Sequence, residues 1–192
     1  MRALRVAVLV AGVAGVAVVA PPAVAQVSIG AAGLYASING SDFDGTDAGF
    51  GLDAQVRFPL GTGFSLGIGG QWTTHGIQGT SDNLGVLGVF GEPRYVFTTT
   101  SETLKPYLAA RGGYLHESFS GGGIDASASG YFVGGGGGLV ISVGPTVSVD
   151  LAVLWTTVSF GDATVNGSKV SNSNTSGSAL AIRGGVLIGL GK

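Results

Sequence analysis

Val147-Ser148-Val149-Asp150-Leu151-Ala152-Val153-Leu154-Trp155 decides the fold. Valine, leucine and tryptophan take the odd positions, while serine, aspartate and alanine take the first even ones. A repeat of two belongs to a strand, because successive side chains leave a pleated backbone on opposite faces. The same alternation recurs at 50–59, where Leu52, Ala54, Val56 and Phe58 oppose Asp53, Gln55 and Arg57. At 84–97, Leu87, Val89, Tyr95 and Phe97 oppose Glu92 and Arg94; at 179–190, Leu180, Ile182, Val186, Ile188 and Leu190 oppose Arg183 and small residues.

Clusters of Gly, Ser, Thr, Asn and Asp cut the chain into eight such pieces, at 27–38, 50–59, 64–74, 84–97, 106–117, 130–143, 146–158 and 179–190. The connections alternate in length. Those at 39–49, 75–83, 118–129 and 159–178 are long, and those at 60–63, 98–105 and 144–145 are short or modest. An even strand count with this asymmetry predicts an all-β fold: an eight-stranded antiparallel up-and-down transmembrane β-barrel with short periplasmic turns and longer extracellular loops.

Composition fixes which face is outside. Only 10 % of the 192 residues are charged, 37 are Gly and none is Cys, which excludes a basic nucleic-acid binder, a disulfide scaffold and a disordered tail. The polar face is mostly Gly, Ala and Ser with about one charge per strand. Such a face suits a cramped lumen, since eight strands leave an interior just wide enough for side chains. The predicted lumen holds Asp53, Arg57, Glu92, Arg94, Arg111, Asp150 and Arg183 as one salt-bridge network that plugs the barrel. In the sixth piece, Gly134, Gly136 and Gly138 leave room for longer side chains from neighbouring strands. A water-filled channel needs about 16 strands, which argues against general porin activity.

Aromatic residues form two expected belts. Phe58, Phe64, Tyr95, Phe97 and Tyr107 fall near short-turn ends, and Tyr35, Phe50, Trp72, Tyr114, Tyr131 and Trp155 near long-loop ends.

The first residues read as an address. Arg2 and Arg5 precede an apolar run from Val6 to Ala20, followed by Pro21, Pro22 and the small-x-small stretch Ala23-Val24-Ala25. Residues 1–25 are expected to be a cleavable secretory signal and residues 26–192 the barrel domain, exported to the cell outer membrane. The run of 15 residues is short of the roughly 20 that a helical span needs.

The stretches GVFGEPRYVF from Gly88 to Phe97, PYLAARGGY from Pro106 to Tyr114, and YFVGGGGGL from Tyr131 through VDLAVLW resemble the small OmpA-like and opacity-type outer-membrane β-barrel proteins. The likeness covers nearly the whole chain after the leader. It implies an eight-stranded barrel of the Gram-negative outer membrane, whose partners are outer-membrane lipid and lipopolysaccharide and the barrel assembly machinery. The family's last strand usually ends in an aromatic residue, whereas this sequence closes Ile188-Gly189-Leu190-Gly191-Lys192.

Little else carries chemistry. The His116-Glu117-Ser118 spacing resembles the active-site pair of the outer-membrane lipid A 3-O-deacylases, although Phe119 stands where an Asn commonly follows and Asp125 would have to orient the histidine. Asp42, Asp44 and Asp47 around Gly45 look like half a calcium loop, lacking the distal Glu, and read as an acidic solvated loop. His75 and His116 lack metal-ligand spacing, and Gly134–Gly138 lacks the Lys-Ser/Thr of a phosphate loop. No cofactor, no nucleic acid and no enzymatic activity is expected. The function expected is structural or interactive, with loops open to an extracellular partner. The alternatives are a lipid-modifying enzyme at His116 and Ser118, and a secreted soluble barrel binding a small apolar ligand.

Overall fold

The computed structural model describes residues 26–171 and 173–190, so the expected signal at 1–25 lies outside the described residues. Its strands are β1 (Ser28–Asn39), β2 (Gly49–Pro59), β3 (Phe64–Gly76), β4 (Asn83–Val96), β5 (Leu104–Gly121), β6 (Ile124–Ser142), β7 (Val147–Phe160), β8 (Ala163–Val165), β9 (Ser168–Val170) and β10 (Thr175–Gly189). The eight long strands pair in the order β5-β4-β3-β2-β1-β10-β7-β6, and β5 pairs with β6 to close the ring. Every pairing is antiparallel, so each ring strand has a partner on both sides and the barrel has no free edge. The short strands β8 and β9 form a hairpin that docks on the far end of β6.

Two connections are more ordered than their composition implies. The stretch 118–129, expected as a loop, is almost all strand, since β5 and β6 continue to a turn at Gly122 and Gly123. Both glycines have positive φ (59° and 80°), the requirement of a tight hairpin whose twist matches its strands. Within 159–178, Asn166 and Gly167 (φ 48° and 79°) make the same kind of turn between β8 and β9.

Parity sorts the side chains as the composition argument requires. Leu52, Val56, Ile68, Leu87, Val89, Leu151, Val153, Ile182 and Val186 point outward and are exposed. Outward aromatics flank this aliphatic zone. Tyr35 packs on Phe50 with ring centroids 5.2 Å apart at the long-loop end; Phe64, Tyr95 and Phe97 pack in series at 4.7 and 5.0 Å at the other. Phe50 and Phe58, like Phe64 and Trp72, stand eight positions apart. That is about 27 Å of strand, or about 20 Å of height at a 40° tilt, near the thickness of an outer-membrane apolar band.

One belt assignment is corrected. Tyr107 is 2 % exposed and lies inside the barrel, because it shares parity with Ala109 and Arg111 on β5. Being near a strand end set its height, but parity sets its face. The lumen also departs from the expected small-and-charged lining. Its long-loop half is apolar: Val86, Phe90, Leu115, Phe132, Val158 and Phe160 form one buried cluster, which Phe43 completes. Phe43 enters from the one-turn 3₁₀ helix Ser41–Phe43 in the β1–β2 connection, with its ring edge-on to Phe160 at 6.2 Å.

Candidate functional site

The charged residues enter the lumen from five strands: Asp53 and Arg57 from β2, Glu92 and Arg94 from β4, Arg111 from β5, Asp150 from β7 and Arg183 from β10. All seven are buried, and Glu92 is wholly unexposed. Glycines on the intervening strands make room for them. A Cβ on Gly138 of β6 would stand 2.5 Å from Tyr107 Cζ, and one on Gly67 of β3 would meet the Gln55 and Arg57 side chains.

Glu92 is the hub. Its Oε1 accepts from Arg57 Nη2 at 2.6 Å, Arg94 Nη2 at 3.0 Å and Arg183 Nη2 at 3.3 Å. Its Oε2 accepts from Arg183 Nη1 at 2.8 Å and lies 3.5 Å from Arg111 Nη1. Asp150 Oδ2 accepts from Arg94 Nη2 at 2.8 Å and Arg183 Nη2 at 3.3 Å; Asp53 Oδ2 accepts from Arg111 Nη2 at 2.9 Å and Arg183 Nη1 at 3.4 Å. All seven charged groups that the sequence put on the lumen face thus belong to one connected set.

Several members carry no charge and were missed by a search for charges. The Tyr107 hydroxyl donates to Asp150 Oδ1 at 2.6 Å and accepts from Arg183 Nη2 at 3.2 Å. Arg57 also donates to Gln55 Oε1 at 2.7 Å and Ser65 Oγ at 3.1 Å. Two guanidinium groups stack on rings, Arg94 over Tyr107 at 3.7 Å and Arg111 over Phe90 at 3.5 Å. Parity along β2 already puts Gln55 on the face of Asp53 and Arg57, and the same signal along β5 would have found Tyr107.

Above the network lies a cavity of about 60 Å³, lined by Leu34, Val86, Leu115, Leu154 and Arg111 among others. His75 closes one side of it: Nδ1 donates to the Asp47 carbonyl at 3.2 Å, and Nε2 accepts from the Thr73 hydroxyl at 3.1 Å. The barrel is therefore filled by ionic contacts at one level and by apolar contacts at the next.

The second candidate cluster is arranged differently from its sequence reading. His116 Nδ1 is hydrogen-bonded to Ser129 Oγ at 2.9 Å, directly across the β5–β6 ladder, while Ser118 stands opposite Ser127. Glu117 points to the other face of the strand, and Asp125 accepts from Ser120 Oγ at 2.7 Å rather than facing the histidine. Asp42 Oδ2 accepts from the Ser176 amide at 2.9 Å and Asp47 Oδ1 from Gln78 Nε2 at 3.0 Å, so these loop carboxylates pin the β1–β2 connection to its neighbours. Among the described residues no group of three or more His, Cys, Asp or Glu could hold a metal ion.

A closed antiparallel ring of eight strands, apolar outside and ionic within, can be set beside known barrels. No family model matches the sequence and no curated protein matches it. Solved structures do. Neisserial surface protein A superposes with a TM-score of 0.66 at 20% identity, over 85% of this chain and 97% of that one. The fold is that of the small OmpA-like and opacity-type outer-membrane barrels. OprG from Pseudomonas aeruginosa is similar at a TM-score of 0.52 and 11% identity, over 88% of this chain and 97% of that one. The N-terminal β-barrel domain of Pseudomonas aeruginosa OprF is similar at 0.50 and 13%, over 86% and 99%. Like these proteins, the barrel takes nearly its whole described length to close one ring.

Proposed function

We propose that the protein is an integral outer-membrane barrel with a structural or surface-interaction role, its lumen plugged by the Glu92-centred network. The observation that carries this reading is the reversal of polarity: the ionisable groups are buried and the aliphatic ones exposed. In water that arrangement costs burial of charge and exposure of apolar surface together, whereas in lipid both faces are satisfied. Export through residues 1–25 places the short turns in the periplasm and the longer connections outside. The outer connections carry Asp42, Asp44, Asp47, Asp82, Asp125 and Asp162 against Lys169, a surface suited to cations and basic partners rather than anions. Outer-membrane lipid, lipopolysaccharide and the barrel assembly machinery are the partners that go with this placement.

Fractionation of native cells, with boiled and unboiled samples compared on a gel in detergent, tests the reading. An outer-membrane protein whose mobility shifts on boiling is expected. A protein recovered in buffer without detergent and without the shift would overturn it.

A further inference from the structure

β5 and β6 run well past the outer aromatic belt. Tyr114 and Tyr131, opposite each other and both exposed, mark the belt. Beyond them β5 continues to Gly121, about 23 Å further along the strand. On this projecting hairpin the inward positions Leu115 and Ala128 are buried over the barrel mouth. The outward positions form a polar ladder: His116 opposite Ser129, Ser118 opposite Ser127, and Ser120 opposite Asp125. Thr164 of β8 extends the Ser118–Ser127 row and Lys169 of β9 ends it.

Between these strands and the β8–β9 turn lies a cleft of about 280 Å³ lined by Ser118, Ser120, Asp125, Ser127, Thr164 and Gly167, with Phe119 and Ala126 as its apolar members. That volume is near the lower end of ligand pockets, about 300 Å³. Its hydroxyls are not used up internally: Ser120 donates to Asp125, but the Ser118, Ser127 and Thr164 side chains bond no group of the described protein.

We propose that this ladder binds the uncharged sugar units of a glycolipid anchored in the same outer leaflet, an assignment that rests on the membrane reading above. Serine and threonine hydroxyls both donate and accept, as sugar hydroxyls do, and a carboxylate accepts strongly from them. Anionic headgroups fit poorly. The nearby cation Lys169 is already paired with Asp162 at 3.2 Å, and Asp125 would repel phosphate. The anchored source follows from position: the ladder faces sideways and rises directly from the tyrosine pair, so a lipid whose chains lie against the belt presents its headgroup to the cleft.

The test uses the full barrel in phosphatidylcholine vesicles, with spin-labelled digalactosyldiacylglycerol and spin-labelled phosphatidylcholine compared by electron paramagnetic resonance. The glycolipid is expected to be preferred at one site by about tenfold, the worth of one to two net hydrogen bonds. Ser118→Val combined with Ser127→Val keeps strand propensity and should bring the preference close to one; Asp125→Asn should lower it separately. Equal selectivity in wild type and double variant overturns the proposal, as does a wild type without selectivity. Displacement of the labelled lipid by soluble galactobiose would overturn the anchored source. A stronger preference for anionic phospholipid that fades with salt would overturn the neutral-sugar assignment. Each variant is first shown to migrate as a heat-modifiable barrel, and loss of that shift in the wild type would count against the membrane reading instead.

Discussion

Glu92 and Arg183 stand on β4 and β10, four strands apart whichever way the ring is followed, and yet Arg183 Nη1 reaches Glu92 Oε2 at 2.8 Å. A contact between opposite walls can form only if the lumen is no wider than two side chains at that level. The ion pair is therefore also a measure of the bore.

Removing the carboxylate leaves four buried guanidinium groups facing two carboxylates. Glu92→Gln is expected to lower stability by about 3–5 kcal/mol, the range for breaking a buried ion pair from one side. Glu92→Gln together with Arg183→Met should cost less than Glu92→Gln alone, since the uncompensated charge goes with it. Urea titration of the heat-shifted band in lipid vesicles measures both. A double variant as unstable as the sum of the singles would mean that the pair does not act as a unit.

Tyr107→Phe isolates one hydroxyl. It keeps the ring under Arg94 but removes a donor to Asp150 and an acceptor for Arg183. The loss should be about 1–3 kcal/mol, the cost of leaving a buried polar group without its partner. An unchanged urea midpoint would show that water replaces the hydroxyl and that this part of the plug is wet.

Tyr107 also marks how far the sequence could be read. Period two carries Asp53, Arg57, Glu92, Arg94, Arg111, Asp150 and Arg183 to one side of the wall, because the residues of opposite parity on each strand are uncharged and mostly apolar or glycine. It works less well for an aromatic near a strand end, where height along the strand suggests a belt and parity has to overrule it. The apolar half of the lumen was illegible for a related reason. Val86 and Phe90 alternate with outward residues that are themselves apolar or glycine, so the contrast between faces disappears, and Leu115 stands between Tyr114 and His116, where the pattern is reversed. Phe43 lies in a loop, where no periodicity applies. The outer reach of β5 and β6 was hidden by composition, since Ser and Gly there suggest a loop until Gly122-Gly123 is seen as a two-residue turn.

Two glycines separate space-making from mere smallness. A side chain at Gly138 must displace both the Leu151 backbone carbonyl and the Tyr107 ring, whereas a Cβ at Gly91 meets nothing within 4 Å. Gly138→Val is expected to cost about 1–3 kcal/mol by overpacking. Gly91→Ala should be neutral or stabilise by about 0.5–1 kcal/mol, the usual gain on replacing glycine inside a strand. The reverse order of the two urea midpoints would mean that the Leu151 carbonyl and the Tyr107 ring do not crowd Gly138.

Trp72 and Trp155, the two tryptophans of the chain, both face outward at the long-loop belt. In vesicles their emission should be quenched more by lipids brominated near the headgroup than by lipids brominated near the chain ends. Trp72→Phe and Trp155→Phe should each leave the depth unchanged. Stronger quenching from mid-bilayer would mean that the apolar band is centred elsewhere on the barrel.

Phe43 tests whether the mouth and the plug are separate closures. The ring is 7 % exposed and fills the entrance, so Phe43→Ala should cost about 3 kcal/mol, at the low end for truncating a buried phenylalanine because the loop can settle inward. The Glu92 network lies below and shares no hydrogen bond with the loop, so its closure should survive. Planar-bilayer recordings of Phe43→Ala are expected to remain without discrete conductance, as for the wild type. Steps of current in the variant alone would mean that the aromatic lid, and not the ion pairs beneath it, is what seals the barrel.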